Sequence, residues 1–253
     1  MRMARLKVSG RSAVYHCIGR VVGGEFLLGD LEKERLRQLL WEYAGFCGVE
    51  IITYCLMSNH FHVLVRVPES NTARDAELVE KIGRLYGKKS AVVQTMTDHF
   101  ERHGKLPEDY RESLLGRMGD VSMFMKELKQ RFTKWYNKQN KRYGTVWAER
   151  FKSLLVEDEP ESVSTVAMYV DLNPVRAGLV TDPKEYRFCG YGEAEAGHRL
   201  ARQGISSFHG SAQWRRVSAE YRSGLLVQSA EANDSSKVTL DRETIQRELK
   251  RGA

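Results

Sequence analysis

Two short groups of residues in this sequence have types and spacing that can do chemistry. The first is His60-Phe61-His62, within HFHVLVRV. On a β-strand successive side chains alternate faces, so the two imidazoles project together while Phe61 points into the core. Two imidazoles side by side on a rigid strand can supply two nitrogen ligands to a divalent metal. Imidazole accepts many first-row ions, so the pair does not name the metal. The same pair also reads as two half-exposed histidines on a sheet. The second group is Tyr169 and Asn173, within AMYVDLNPVRAG. If residues 161–173 are helical, these two stand at i and i+4 on one face. Val163, Val166 and Val170 then form a different, apolar face that can pack on a sheet. A phenol has a pKa of about 10, so a nucleophilic tyrosine needs activation; a metal held nearby can polarise a phosphate and stabilise developing charge. Asn173 offers a hard oxygen beside the histidines. Equally, Tyr169 is one of eleven tyrosines and can simply pack.

The elements that must position these groups are readable from periodicity. AVYHCIGRVV (13–22) has the β-branched and aromatic content of a strand, followed by a Gly-Gly turn. Asp30 caps a helix from Leu31 in which Leu36, Leu39, Leu40, Tyr43 and Phe46 recur at helical spacing, and Gly48 closes it. VEIITYCLM (49–57) and HFHVLVRV (60–67) form a hairpin turning at Ser58-Asn59. Strand, helix, strand, strand is the first half of an α+β sheet domain. Residues 68–118 read as a partly helical insertion that includes ARDAELVEKIGRLYG. From the N-cap Asp120, Val121, Phe124, Met125, Leu128, Phe132 and Trp135 make one apolar stripe on an amphipathic helix with a basic outside. GTVWAERFKSLLVED (144–158) reads as a strand. A last strong helix starts near Pro160 and ends before Asn173-Pro174. Beyond about Gly190 the chain turns polar, and TLDRETIQRELKRG can make one short helix. The expected organisation is a catalytic domain of residues 1–193, interrupted at 75–118, with an extension over 194–253.

The formal net charge of +7 favours an anionic partner. Two stretches concentrate it: Arg2, Arg5, Lys7 and Arg11, and a run from Lys126 to Arg142 that contains one acid, Glu127. Each also reads as a solvated face. Four scattered cysteines without a CxxC pair suit reduced thiols in a cytoplasm. No stretch approaches the roughly 18 to 20 apolar residues of a membrane span, and nothing argues for export. Arg20 and His16 share one face of the first strand; either can meet a phosphate, and His16 can equally make a structural hydrogen bond. Trp147, Arg150 and Lys152 combine stacking and charge, although Trp147 reads as well as core. Tyr136 and Tyr143 are lesser nucleophile candidates, better suited to packing or base stacking. His99, His103, His198 and His209 have no supporting neighbours and read as surface histidines.

Longer blocks add a resemblance. LMSNHFHVLVRVP resembles the histidine–hydrophobic–histidine motif of single-strand DNA transposases. FMKELKQRFTKWYNKQNKRYGTVWAERFKSLLVED, followed by YVDLNPVRAGLV, resembles the later blocks of the REP-associated tyrosine transposases. YHCIGR and FCGYGE fit in order and spacing. The resemblance covers roughly residues 13–193, and 75–118 fits it poorly. It implies a ferredoxin-like antiparallel sheet with helices packed on one face. It implies His60 and His62 as metal ligands, Tyr169 as nucleophile and Asn173 as third ligand, with Mg²⁺ or Mn²⁺ as the metal. Lys126, Lys129, Arg131 and Lys134, with Arg20, Arg150 and Lys152, are the expected DNA contacts. The implied substrate is hairpin-containing single-stranded DNA, cut through a 5′-phosphotyrosine link; homodimer and monomer stay equally open. Two rival readings remain: a non-catalytic binder of structured nucleic acid on the same scaffold, and a metal nuclease that uses water and does not need Tyr169.

Overall fold

The computed structural model describes residue 8, residues 10–69 and residues 72–231. Arg2, Arg5 and Lys7 of the basic N-terminal run, and the expected helix TLDRETIQRELKRG, lie outside the described residues. In chain order the elements are β1 (Ala13–Arg20), α1 (Asp30–Cys47), β2 (Glu50–Leu56), β3 (His60–Val67), α2 (Asp75–Tyr86), α3 (Ala91–His103), α4 (Glu108–Leu115) and α5 (Val121–Gln139). They continue with β4 (Lys152–Val156), α6 (Pro160–Asp171), α7 (Asn173–Arg176), α8 (Gly190–Glu195), α9 (Arg199–Ser206) and α10 (Trp214–Glu231). The four strands form one sheet in the order β2-β3-β1-β4. With a helical crossover after β1 and another after β3, this is the ferredoxin-like α+β arrangement expected from the sequence.

Local chemistry accounts for the element ends. Asp30 and Glu32 place negative charge at the start of α1, and Gly48 follows its end at φ 66°, a conformation open to glycine at little cost. The β2–β3 turn is tight, with the Met57 N–H donating to the His60 carbonyl at 2.8 Å. Asp120 caps α5, its carboxylate accepting from the N–H groups of Ser122 and Met123. Pro160 stands in the first turn of α6, where its missing N–H costs nothing.

One expectation about these elements needs correction. The strand at 144–158 is shortened to Lys152–Val156. Ahead of it, consecutive residues Val146 and Trp147 are both buried, which breaks the alternation of a one-sided strand. The Trp147 indole N–H donates to the Lys129 carbonyl in α5 rather than serving the sheet. The last helix ends before Asn173-Pro174, as expected. Pro174 has no N–H to donate to the Val170 carbonyl, so α6 stops at Asp171 and Asn173 opens the short turn α7.

The described residues divide into two compact units, one within Met1–Ala13, Glu34–Glu50 and Arg66–Trp147, the other within Val14–Lys33, Ile51–Val65 and Ala148–Ala253. In the first, α2, α3 and α4 occupy the insertion and bury Leu78, Ile82, Val93, Met96 and Leu114. In the second, α6 packs on β4 and on α10, and α8 packs on α9. Residues 194–231 carry the end of α8 with α9 and α10, in the same unit as the histidine pair. Among the described residues no helix is long and apolar enough to cross a membrane, and all four cysteines are buried and outside any disulfide.

Candidate active site

Strand parity puts His16, Ile18 and Arg20 of β1 on one face. Antiparallel pairing sets His16 opposite Leu154 and Ile18 opposite Lys152, so Lys152 shares that face. On the neighbouring strand β3, the rings of His60 and His62 lie 5.1 Å apart, centroid to centroid. The other face takes Phe61, which is fully buried against Gly19 of β1; any Cβ at Gly19 would overlap the Phe61 ring. The close approach needs glycine there, and it fixes the depth and register at which the two histidines emerge.

His16 completes a three-histidine cluster. Its Nε2 lies 2.9 Å from His62 Nδ1, and the two rings are nearly parallel with centroids 5.1 Å apart. The Tyr169 ring of α6 stands edge-on to both, 6.0 Å from His16 and 6.0 Å from His62. Tyr169 is 42% exposed, while its ring meets both imidazoles edge-on. Residues more than a hundred positions apart in sequence thus converge on one solvent-facing spot.

Burial makes these imidazoles poor bases. His62 is pushed down to about 3 by desolvation, helped by positive charge at His16, His60 and Arg20. Desolvation takes His16 down to about 4, and it lowers His60 as well, with a further contribution from Arg20. Neutral imidazoles keep a lone pair free at neutral pH, which is the chemistry a divalent metal needs. Among the described residues no group of three or more His, Cys, Asp or Glu side chains is arranged to hold a metal. A further protein ligand would have to come from another residue type. Asn173 is such a residue: its Nδ2 donates to the carbonyls of Tyr169 at 2.9 Å and Val170 at 3.1 Å, which leaves Oδ1 as its atom with ligand capacity. The two histidines and this amide oxygen fit a hard-to-borderline divalent ion.

Sequence reasoning missed two residues that shape this spot. Arg176 lays its guanidinium over the Tyr169 ring at 4.7 Å and donates to the Tyr169 carbonyl at 3.2 Å. Its place at i+7 to the tyrosine, beyond a helix break, hid the pairing. Asp171 is fully buried and accepts from the Thr53 hydroxyl at 2.9 Å, from the Tyr191 N–H at 3.1 Å and from the Tyr221 hydroxyl at 2.7 Å. Desolvation pushes its carboxyl up to about 7 against the pull of these donors. The network ties the C-terminal end of α6 to β2, α8 and α10, and so fixes where Tyr169 sits. Val163, Ala167 and Val170 form the buried face of α6; Ala167 takes the place the sequence reading gave to Val166.

Other candidates fall elsewhere. Arg20 and Lys152 are exposed on the histidine face's strands, and Arg150 is exposed just before β4. Lys126, Arg131 and Lys134 belong to the other unit, where they line a cleft of about 290 Å³ with Tyr43, Tyr86, Arg117, Glu127 and Gln130. Lys129 departs from the exposed basic face on which the sequence placed it. It is buried, with its ammonium 5.4 Å from the centre of the Trp147 ring, because its position in the helix falls between the buried Met125 and Phe132. Trp147 is core. Tyr136 is buried and stacks on Phe132 at 6.0 Å, whereas Tyr143 is 94% exposed. His99 and His103 pair on α3 at 4.4 Å. His198 caps α9, its Nδ1 accepting from the Ala201 N–H. His209 is not a surface histidine: it is half-buried against Phe208 at 4.7 Å, with Nδ1 3.4 Å from a Glu220 carboxylate oxygen.

Comparison with known proteins gives one family match. Residues 11–112 match the family model for IS200-like transposases; this span contains His16, His60 and His62 and ends before Tyr169. No curated protein matches the chain. Among solved structures, a REP-associated tyrosine transposase bound to a REP hairpin is similar with a TM-score of 0.49 and 15% identity, over 79% of this chain and 90% of that one. A Deinococcus radiodurans R1 protein described as a transposase is similar with a TM-score of 0.31 and 15% identity, over 68% of this chain and 96% of that one.

Proposed function

We propose that this chain, whose residues 11–112 carry the IS200-like transposase match, is a metal-dependent enzyme that nicks and rejoins single-stranded DNA with Tyr169 as nucleophile. The observation that carries the reading is the convergence of Tyr169 on the histidine cluster, with 6.0 Å from its ring to those of both His16 and His62. The family match by itself does not reach the tyrosine.

His60 and His62, with Oδ1 of Asn173, would hold Mg²⁺ or Mn²⁺. That ion, when bound, supplies Lewis-acid polarisation of the scissile phosphate and shields its charge. The residues of the chain do the rest. Tyr169 presents its hydroxyl from a helix locked by Asp171, so the attacking oxygen needs little reorganisation. The Oη–phosphorus bond forms as the bond from phosphorus to the 3′-oxygen breaks; the phenol loses its proton and the departing 3′-oxygen gains one. The product is a 5′-phosphotyrosine and a free 3′-hydroxyl. A 3′-hydroxyl attacking that link reverses the bookkeeping and rejoins strands without nucleotide hydrolysis. Arg176, stacked on the phenol, brings a positive charge that would stabilise charge developing on the phosphate. Arg20 and Lys152 extend positive charge along the same face for the DNA backbone.

The substrate would be single-stranded DNA that folds into hairpins. The test is cleavage of labelled hairpin-bearing strands with Mn²⁺ or Mg²⁺, comparing the native chain, Tyr169→Phe and a chelated control. The reading expects products only from the native chain with metal. Cleavage that survives Tyr169→Phe would shift the assignment to a water-using nuclease, and tight binding with no product at all would shift it to a binder.

A further inference from the structure

Each histidine of the pair has one ring nitrogen engaged by a neighbour, and in both cases it is Nδ1. His60 Nδ1 lies 2.7 Å from Oδ1 of Asn59. The orientation of that amide is fixed independently, because its Nδ2 donates to the Gly24 carbonyl at 3.3 Å. An amide oxygen only accepts, so His60 Nδ1 carries the proton and its Nε2 keeps a bare lone pair. His62 Nδ1 lies 2.9 Å from His16 Nε2. Two imidazole nitrogens in contact share one proton, and its place decides what the far side of each ring can do. With the proton on His62 Nδ1, the His62 Nε2 lone pair is open; with it on His16 Nε2, His62 Nε2 is an N–H and cannot ligate.

We propose that Asn59 and His16 are the positioning residues of the histidine pair: each accepts the Nδ1 proton of one histidine, so that His60 and His62 both present Nε2 lone pairs to one divalent cation. This rests on the metal-centre reading above and deepens it. His16 is then not a phosphate contact but an outer-shell acceptor, with its own proton on Nδ1. The arrangement also explains why a histidine sits at 5% exposure on β1, facing another at 5% on β3. Outer-shell partners of this kind set the tautomer and the ring orientation, and their loss weakens metal binding by about 10- to 100-fold.

The test reads the tautomers directly. In full-length protein with ¹⁵N-labelled imidazoles, without metal and without DNA, long-range ¹H–¹⁵N correlation spectra at neutral pH should show His16, His60 and His62 all as Nδ1–H forms. Mn²⁺ titrated into the same protein, followed by calorimetry, should bind about 10- to 100-fold more weakly to Asn59→Ala and to His16→Phe. Asn59→Asp and His16→Gln, which keep an acceptor in place, should recover most of the affinity. Circular dichroism and thermal melts identify any variant that fails to fold, and the wild-type spectrum still decides the tautomers. An Nε2–H form of His60 or His62 in the wild type would overturn the proposal. So would unchanged Mn²⁺ affinity in folded Asn59→Ala or His16→Phe, or a Mn²⁺-induced change showing His16 to be a ligand itself. None of these readouts involves cleavage. The predicted tautomers and affinities in a protein that never cuts DNA would sink the nuclease reading while leaving this assignment standing. Wild-type protein that binds no Mn²⁺ would sink both.

Discussion

The hydroxyl of Tyr221 donates a 2.7 Å hydrogen bond to the buried carboxylate of Asp171. One partner lies in α10, in the C-terminal extension, and the other lies two residues after Tyr169. The extension is thereby a buttress for the helix that carries the candidate nucleophile. Gly224 adds to this, since any Cβ there would overlap the Met168 sulfur on α6.

Removing that hydroxyl leaves a fully buried acid with one donor fewer. Tyr221→Phe should lower unfolding stability by about 1–3 kcal/mol, the cost of a buried group losing its partner. Truncation after residue 193 should cost far more and yield no folded catalytic fragment. Urea melts followed by circular dichroism measure both. A truncated chain that melts as cooperatively as the full one would show that α9 and α10 do not brace α6.

Arg176 touches the face of Tyr169. Arg176→Ala should slow formation of cleaved product by about 10- to 100-fold, equivalent to about 1.5–3 kcal/mol for a charge-assisted interaction, with smaller effects on DNA affinity. Arg176→Lys keeps the charge but not the planar stack and should fall between the two. Single-turnover cleavage and equilibrium binding separate these effects; equal loss in both would mean that Arg176 only anchors DNA.

The basic helix α5 makes a sharper prediction than charge counting would. Lys126→Ala and Lys134→Ala should each weaken binding regardless of DNA sequence and reduce the slope of log affinity against log salt by about 1. Lys129→Ala should instead lower stability and leave that slope unchanged, because its ammonium is buried over Trp147. Fluorescence anisotropy across a salt series reads the slopes. A reduced slope for Lys129→Ala would place that side chain at the DNA after all.

The depressed histidines couple folding to acidity. His62 at about 3 and His16 at about 4 stay neutral in the fold, whereas unfolded chains protonate them below about 6.5. Unfolding therefore takes up protons, so the contribution of these rings to stability is present above about pH 6.5 and is lost as pH falls toward 4. Asp171 acts in the opposite sense: its carboxyl is raised to about 7, so its burial costs least in acid. Thermal melts of metal-free protein between pH 4 and 8 should show a flatter acid limb in a His16→Gln, His62→Gln double variant. An unchanged limb would mean that these rings do not titrate as the fold dictates.

Much of this arrangement was legible in the sequence. His60-Phe61-His62 declared its geometry because strand alternation is strict, and Gly48, Asp120 and Pro160 marked element ends through backbone chemistry that does not depend on context. Less visible were interactions set by distant packing. Lys129 sits at a helical position whose burial depends on Trp147, eighteen residues on, and strand propensity alone did not disclose that Trp147 leaves the sheet. Asn173 stands beside Tyr169 as its spacing implies, but its amide nitrogen caps the Val170 carbonyl freed by Pro174. The links from Asp171 to Thr53, Tyr191 and Tyr221, and the contact between His16 and His62, join residues 20 to 118 positions apart and leave no local pattern to read.

The most direct measurement is the identity of the covalently linked residue. Native protein incubated with a hairpin-bearing single strand and Mn²⁺, then digested with protease and nuclease, should yield one modified peptide spanning Tyr169. Its mass should be increased by a nucleoside 5′-monophosphate less one water. A modified peptide mapping to Tyr136 or Tyr143, or cut DNA with no modified peptide at all, would contradict the account.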